Sequence, residues 1–172
     1  MHKNILIFTG NGKGKSTSAF GMALRASGHN HCVLIIQFMK KDSSVGELII
    51  LKKLGITVKQ TGLGFVPKPD NPRYTEHQQA AQKGFALANN ALQSGNYDLI
   101  ILDELCGAVA HGLIDEQTVI TAITTAPAPL NIVLTGRNAT KRLIDLADTV
   151  SEITPIKHAL DLGIKAREGV EY

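Results

Sequence analysis

The chain has 172 residues, no tryptophan, two cysteines and a formal net charge of +3. Hydrophobic residues make up 44% and charged residues 19%, the balance of an ordinary globular chain with a substantial core, and residues 1–172 are read as one domain. The charge suits an anionic ligand but is too small to argue for nucleic acid, and no apolar run approaches the roughly 20 residues of a membrane span.

The chain is organised around residues 4–21, NILIFTGNGKGKSTSAFG. The apolar run from Ile5 to Phe8 reads as a short buried strand. A turn with Gly10, Gly12 and Gly14 follows, and Lys15 and Ser16 open an amphipathic segment. Strand, glycine turn, Lys-Ser and helix make the layout of a phosphate-binding loop. The glycines let backbone N–H groups approach an anion, and the helix start adds unpaired N–H groups and a positive dipole end. One departure stands out. The usual first glycine of G-x-x-x-x-G-K-[ST] falls on Thr9, so the loop is one residue short or Thr9 replaces that glycine.

The remaining elements follow in order. A first helix is predicted over 15–26, with Phe20, Ala23 and Leu24 on one face and Gly28 as terminator. Cys32 opens the next strand and reads as a buried thiol. That strand spans 33–38 and is apolar enough to be buried on both faces. Gln37, Lys40 and Lys41 sit at or past its carboxyl end, where open α/β sheets bind ligands; solvated loop lysines are the rival reading. Ser44 and Glu47 have the spacing of a capping box and start a helix to Leu54, closed by Gly55. A short strand over 56–61 leads to an irregular stretch, 62–73, with three prolines and two glycines. Such a stretch in a compact domain is functional or mobile; Phe65 and Val66 give it an apolar tip suited to a flat ligand.

A second capping-box pattern, Thr75 to Gln78, opens the longest helix, to Ser94. Its stripe of Ala81, Phe85, Ala88 and Leu92 reads as core. Residues 97–104 form an apolar strand ending in Asp103 and Glu104. A carboxylate there could face the loop hydroxyl across a magnesium ion. Strand alternation points the two carboxylates to opposite faces. A helix starts at Asp115, and a fifth strand over 131–135 runs into Gly136-Arg137. Arg137 is either a phosphate clamp or half of a structural salt bridge. A short helix over 140–147, a sixth strand over 149–154 and a tail of unassigned structure, 155–172, complete the chain.

Alternating strands and helices predict an α/β, three-layer P-loop nucleotide-binding (RecA-like) fold with a mostly parallel six-stranded sheet. Lys3 leads into the first strand without a cleavage signal, so a reducing cytoplasm is the expected compartment. No protein nucleophile stands out: there is no G-x-S-x-G elbow, no H-E-x-x-H and no cysteine with a catalytic signature. The residues alone lead to a magnesium-nucleotide binder that transfers part of its ligand.

Several motifs go further: FTGNGKGKST at 8–17 with Ala19-Phe20-Gly21, VLIIQFMK at 33–40 and LDEL at 102–105. They continue with LTGR at 134–137, DLADTVSE at 145–152, PIKHA at 155–159 and GIKA at 163–166. In this order they resemble the ATP:corrinoid adenosyltransferase family, P-loop branch (cob(I)alamin adenosyltransferase). The short loop with Thr ahead of it is a trait of that family. The resemblance implies transfer of the 5′-deoxyadenosyl group of ATP to the Co(I) of a reduced corrinoid, with triphosphate leaving whole. The corrinoid itself then supplies the nucleophile. Gly10, Asn11, Gly12, Lys13, Gly14, Lys15, Ser16 and Thr17 would hold the triphosphate, with Lys13 and Lys15 neutralising it and Lys15 acting in catalysis. Ser16 with Glu104 would hold magnesium, Asp103 being an alternative ligand or a partner behind them. Arg137 as a phosphate clamp is an inference from its position.

The family also has an aromatic loop that displaces the lower ligand of the corrinoid. Phe65 matches it, while Pro67 stands where some members have Trp. Some members carry a corrinoid-covering N-terminal helix; this sequence begins at the first strand, and a more open corrinoid site is expected. The resemblance further implies Mg-ATP as substrate, a homodimer, and a reduced flavin or flavoprotein as electron donor, with no nucleic-acid or membrane partner. Two rival readings are a P-loop ATPase or kinase cleaving the β–γ bond, and a non-catalytic adenosylcorrinoid-binding module.

Overall fold

The computed structural model describes residues 2–42 and 44–170; Met1, Ser43, Glu171, Tyr172 and the Leu160 side chain lie outside the described residues, so the end of the tail is not assigned. Six strands form one sheet: β1 (Lys3–Thr9), β2 (Val33–Gln37), β3 (Thr57–Gln60), β4 (Leu99–Asp103), β5 (Leu130–Thr135) and β6 (Thr149–Glu152). Their order is β3-β2-β4-β5-β1-β6, and every neighbouring pair is parallel. The sheet is thus wholly rather than mostly parallel. Parallel neighbours need crossovers, and the helices supply them: α1 (Lys15–Gly28), α2 (Gly46–Lys53), α3 (Tyr74–Ser94), α4 (Leu105–Ala110), α5 (Glu116–Thr125) and α6 (Lys141–Leu146).

Side-chain alternation splits the core into two layers. Ile5, Ile7, Leu34, Ile36, Ile100 and Leu102 meet Phe85, Leu92, Leu105, Ile123 and Leu143 from α3 to α6. Val33, Ile35, Leu99, Ile101 and Val133 meet Ala19, Phe20, Ala23 and Leu51 from α1 and α2. Burying each large aliphatic side chain is worth about 1.5–3 kcal/mol, so both faces hold the sheet firmly. The predicted α3 stripe is core: Ala81, Phe85, Ala88 and Leu92 are all buried. No helix among the described residues is long and apolar enough to cross a membrane.

Three expectations are corrected, and one helix is new. Ser44 does not cap α2; Val45 holds that position without a side-chain bond, while Ser44 Oγ donates to Asp42 Oδ1 at 2.6 Å. Thr75 lies inside α3, which starts at Tyr74 without a side-chain cap. Cys32 is exposed, because it precedes β2 at the amino edge of the sheet, where its N–H is held by Asp98 Oδ2 at 2.7 Å. The helix α4 was not anticipated. Its sequence, LCGAVA, is buried from Leu105 to Val109, so it carries no apolar–polar period to detect. The helices expected from Asp115 and Thr140 are present, and those two residues cap them: Asp115 accepts from Thr118 N, and Thr140 from Leu143 N. The tail holds one 3-10 turn, Ala159–Leu162.

Candidate active site

The chain turns from β1 into α1 over Gly10 to Gly14. Thr9 stays in the strand, and its hydroxyl accepts the N–H of Ala139 at 3.3 Å. The positive-φ positions are Gly10 (96°) and Gly14 (120°). That explains the short loop: the sharp turn falls on Gly10, and Thr9 is not a loop residue. Gly10 and Gly12 also lie against the chain just past β6. Gly12 N donates to Ile153 O at 2.7 Å, and a Cβ on Gly12 would sit 2.7 Å from that oxygen. A Cβ on Gly10 would sit 2.5 Å from it. These glycines therefore serve close backbone packing as well as anion approach.

A cavity of about 760 Å³ opens over this turn at the carboxyl edge of the sheet. Residues 11–17 line it together with Glu104 and Arg137. Lys13 donates to Val170 O at 3.2 Å, and Lys15 to Gly12 O at 2.8 Å. Lys15 is buried, and that burial holds its amine below the usual lysine range. The Glu104 and Asp103 charges oppose this shift, and Arg137 adds to it. Arg137 is exposed, and among the described residues no carboxylate lies within salt-bridge distance of it, so the structural salt bridge lacks a partner.

The two carboxylates do not split across the sheet. β4 ends at Asp103, and Glu104 turns into α4 in the left-handed region (φ 64°), its N–H donated to Thr135 Oγ1 at 2.9 Å. Strand alternation therefore stops one residue too early to separate the pair. Asp103 is fully buried and accepts Ser16 Oγ at 2.7 Å. Glu104 lines the cavity and has no hydrogen bond or ion pair from its side chain among the described residues. Burial first, then the neighbouring Asp103 charge, pushes its carboxyl above the usual range.

Of the expected site residues, the structure places 11–17, Glu104 and Arg137 in the cavity wall and leaves three outside it. Gly10 packs beneath the loop, and Asp103 sits behind Ser16. Phe65 is not brought to the cavity; it is fully exposed at 102%. Its loop starts beside the same sheet edge, since Gly64 N donates to Met39 O at 2.9 Å.

The family model described as ATP:corrinoid adenosyltransferase BtuR/CobO/CobP matches residues 2–172. The chain belongs to the ATP:corrinoid adenosyltransferase family. Curated relatives agree with the match. The corrinoid adenosyltransferase of Escherichia coli K12 is 37% identical over 98% of this chain and 85% of its own length. Corrinoid adenosyltransferase CobA of Salmonella typhimurium is 38% identical over the same shares. The Pseudomonas aeruginosa corrinoid adenosyltransferase is 39% identical over 98% and 83%. Solved structures with the same fold are remote in sequence. The flagellar accessory protein FlaH of Methanocaldococcus jannaschii has a TM-score of 0.54 at 12% identity, covering 86% of this chain and 69% of that one. The ATPase EscN of the enteropathogenic E. coli type III secretion system has 0.51 at 18%, covering 89% and 42%.

Other parts of this adenosyltransferase-family site were not legible beforehand. Phe20, Leu24 and Glu47 widen the cavity along α1 and α2, and His158, Gly169 and Val170 bring the tail to its mouth. Lys40 lies 3.5 Å from Asp103 Oδ2 and 5.5 Å above the Phe20 ring. Thr135 and Gln37 both donate to Asp103, at 2.8 and 2.9 Å. The sequence marked Gln37 and Lys40 at a strand end where ligands bind, without a partner for either, and left Thr135 among the residues of a strand.

Proposed function

We propose that this protein transfers the 5′-deoxyadenosyl group of ATP to the Co(I) of a reduced corrinoid, in cobalamin synthesis or salvage. The observation that carries the reading is the family match over residues 2–172, on a chain whose phosphate loop, Glu104 and Arg137 share one cavity. The cobalt lone pair attacks C5′ of the ribose, the C5′–O5′ bond breaks, and its electron pair leaves on triphosphate. Cobalt passes formally from Co(I) to Co(III) as the carbon–cobalt bond forms. No protein nucleophile is needed, so the protein positions its two substrates and stabilises the leaving charge.

Residues 11–17 hold the triphosphate, with Gly10 making the turn beneath them. Lys13 and Lys15 give up their backbone carbonyl partners for phosphate oxygens, and the Arg137 guanidinium clamps from the other side. Ser16 and Glu104 hold magnesium, and the support is chemical: Glu104 is a half-buried carboxylate facing the cavity without a partner among the described residues. When bound, the ion neutralises phosphate charge. Asp103 stands behind Ser16 as its hydrogen-bond partner. Phe65 meets the corrinoid and displaces its lower ligand, which a fully exposed aromatic on a loop rooted at the same sheet edge allows. A reduced flavin or flavoprotein supplies the electron that makes Co(I), and the enzyme works as a cytoplasmic homodimer.

The test is a product assay. Cob(I)alamin with Mg-ATP should give the adenosylcobalamin spectrum and intact triphosphate, whereas ADP and phosphate alone would refute the reading in favour of β–γ cleavage. Lys15→Ala should lower turnover by about 100-fold or more, the usual cost of losing a preorganised charge partner of the leaving group.

A further inference from the structure

We propose that Gln37 is a positioning residue, which acts through Asp103 to aim the Ser16 hydroxyl at the metal. The inference rests on the magnesium reading of Ser16 and Glu104 given above. Asp103 is completely buried, with 0% exposure, and both of its oxygens are engaged. Oδ1 accepts Ser16 Oγ at 2.7 Å and Thr135 Oγ1 at 2.8 Å. Oδ2 accepts Gln37 Nε2 at 2.9 Å and lies 3.5 Å from Lys40 Nζ. An ionised carboxylate only accepts, so the Ser16 proton is committed to Asp103 and the serine lone pairs are left for the cavity side.

Gln37 is itself fully buried, and the direction of its amide is decided by a neighbour. Its Oε1 accepts Gln60 Nε2 at 3.0 Å, and the Gln60 amide also donates to Asp42 O at 2.9 Å. The Gln37 oxygen must therefore face Gln60 and its NH₂ must face Asp103. A chain of bonds runs from Gln60 on β3 through Gln37 on β2 and Asp103 on β4 to Ser16 at the start of α1. The order β3-β2-β4 sets the first three side by side. Gln37 does not line the cavity, and its amide reaches the site through Asp103. Without its amide, Oδ2 keeps the Lys40 ammonium alone among the described residues, and the carboxylate is free to turn away from the plane that holds Ser16. Buried polar chains of this kind fix an orientation because every alternative leaves a group unpaired.

ATP alone is not turned over in the proposed reaction, so its equilibrium binding to the full chain can be measured by calorimetry, with magnesium and with EDTA. Gln37→Leu should cut the magnesium-dependent gain in ATP affinity about 10-fold while affinity in EDTA stays within about twofold, as expected of a residue that orients a metal ligand. Gln60→Leu should shift the same gain in the same direction by less; this half-exposed edge position carries the test if Gln37→Leu does not fold. The relay is overturned if the soluble variant keeps the wild-type magnesium gain. Equal loss with and without magnesium also overturns it, because that is general damage. If the wild-type protein shows no magnesium gain, the magnesium reading itself fails, and the relay with it.

Discussion

Glu104 holds a carboxylate in a half-buried position, beside Asp103, with no side-chain partner among the described residues. Its carboxyl is raised above the ordinary 4.5, burial being the main cause. A raised carboxyl means that the folded state resists ionisation. At neutral pH the charge destabilises the nucleotide-free protein. The penalty declines as pH falls through the folded value and is gone below the unfolded one. Glu104→Gln should therefore raise Tm by a few degrees at neutral pH, with the difference vanishing as thermal scans are taken below pH 4.5. The same variant should lose the magnesium-dependent part of ATP binding. A variant that is more stable and less able to bind is the behaviour of a group kept strained for function. Unchanged Tm at neutral pH would refute the burial argument.

The phosphate loop is an element held from two sides. On one side residues 11–17 line the cavity; on the other, Gly12 rests against the chain leaving β6, which in turn bonds back through Ile153 N to Thr9 O at 2.9 Å. Gly12→Ala would push a Cβ to 2.7 Å from a backbone oxygen that has no side chain to swing away. Gly21, in the middle of α1, is the opposite case: nothing lies within 4 Å of its added Cβ. Gly21→Ala should stabilise the protein by about 0.5–1 kcal/mol, the usual gain in a helix interior, read as a higher urea midpoint. It should also weaken ATP binding, because Gly21 lines the cavity. Gly12→Ala should lose both stability and ATP binding. The contrast separates a glycine needed for close packing from one needed for ligand space.

At the scale of the molecule, the site is assembled from the carboxyl ends of five strands and closed by the far end of the chain. Lys13 donates to Val170 O, and His158 and Gly169 stand at the cavity mouth. A nucleotide that binds only this assembled form adds its binding energy to folding. Mg-ATP at about 100 times its dissociation constant should add about 2.7 kcal/mol, or roughly 5–10 °C in Tm for a domain of this size. Scanning calorimetry with increasing Mg-ATP checks it; a Tm independent of ligand concentration would mean that the cavity is not the nucleotide site.

Local patterns were enough to place the strands, the long α3 stripe, the phosphate loop and the carboxylates at 103 and 104, because each is written in neighbouring residues. Apolar runs, helical spacing and glycine-Lys-Ser order are short-range signals. So is the family resemblance, which is a series of short motifs. The rest depended on contacts between residues distant in the chain. The burial of Asp103 among Ser16, Gln37 and Thr135 needs β2, β4, β5 and α1 side by side, and no local window contains them. The left-handed turn at Glu104 and the all-buried α4 have no periodic signature, and the meeting of Ile153 with Gly12 joins opposite ends of the chain. The sequence determined which charged and glycine-rich segments stand at the carboxyl ends of the strands. Only the tertiary structure decided which carboxylate faces the cavity and which is locked behind it, because the order of the strands, not the order of the residues, sets which donors each one meets.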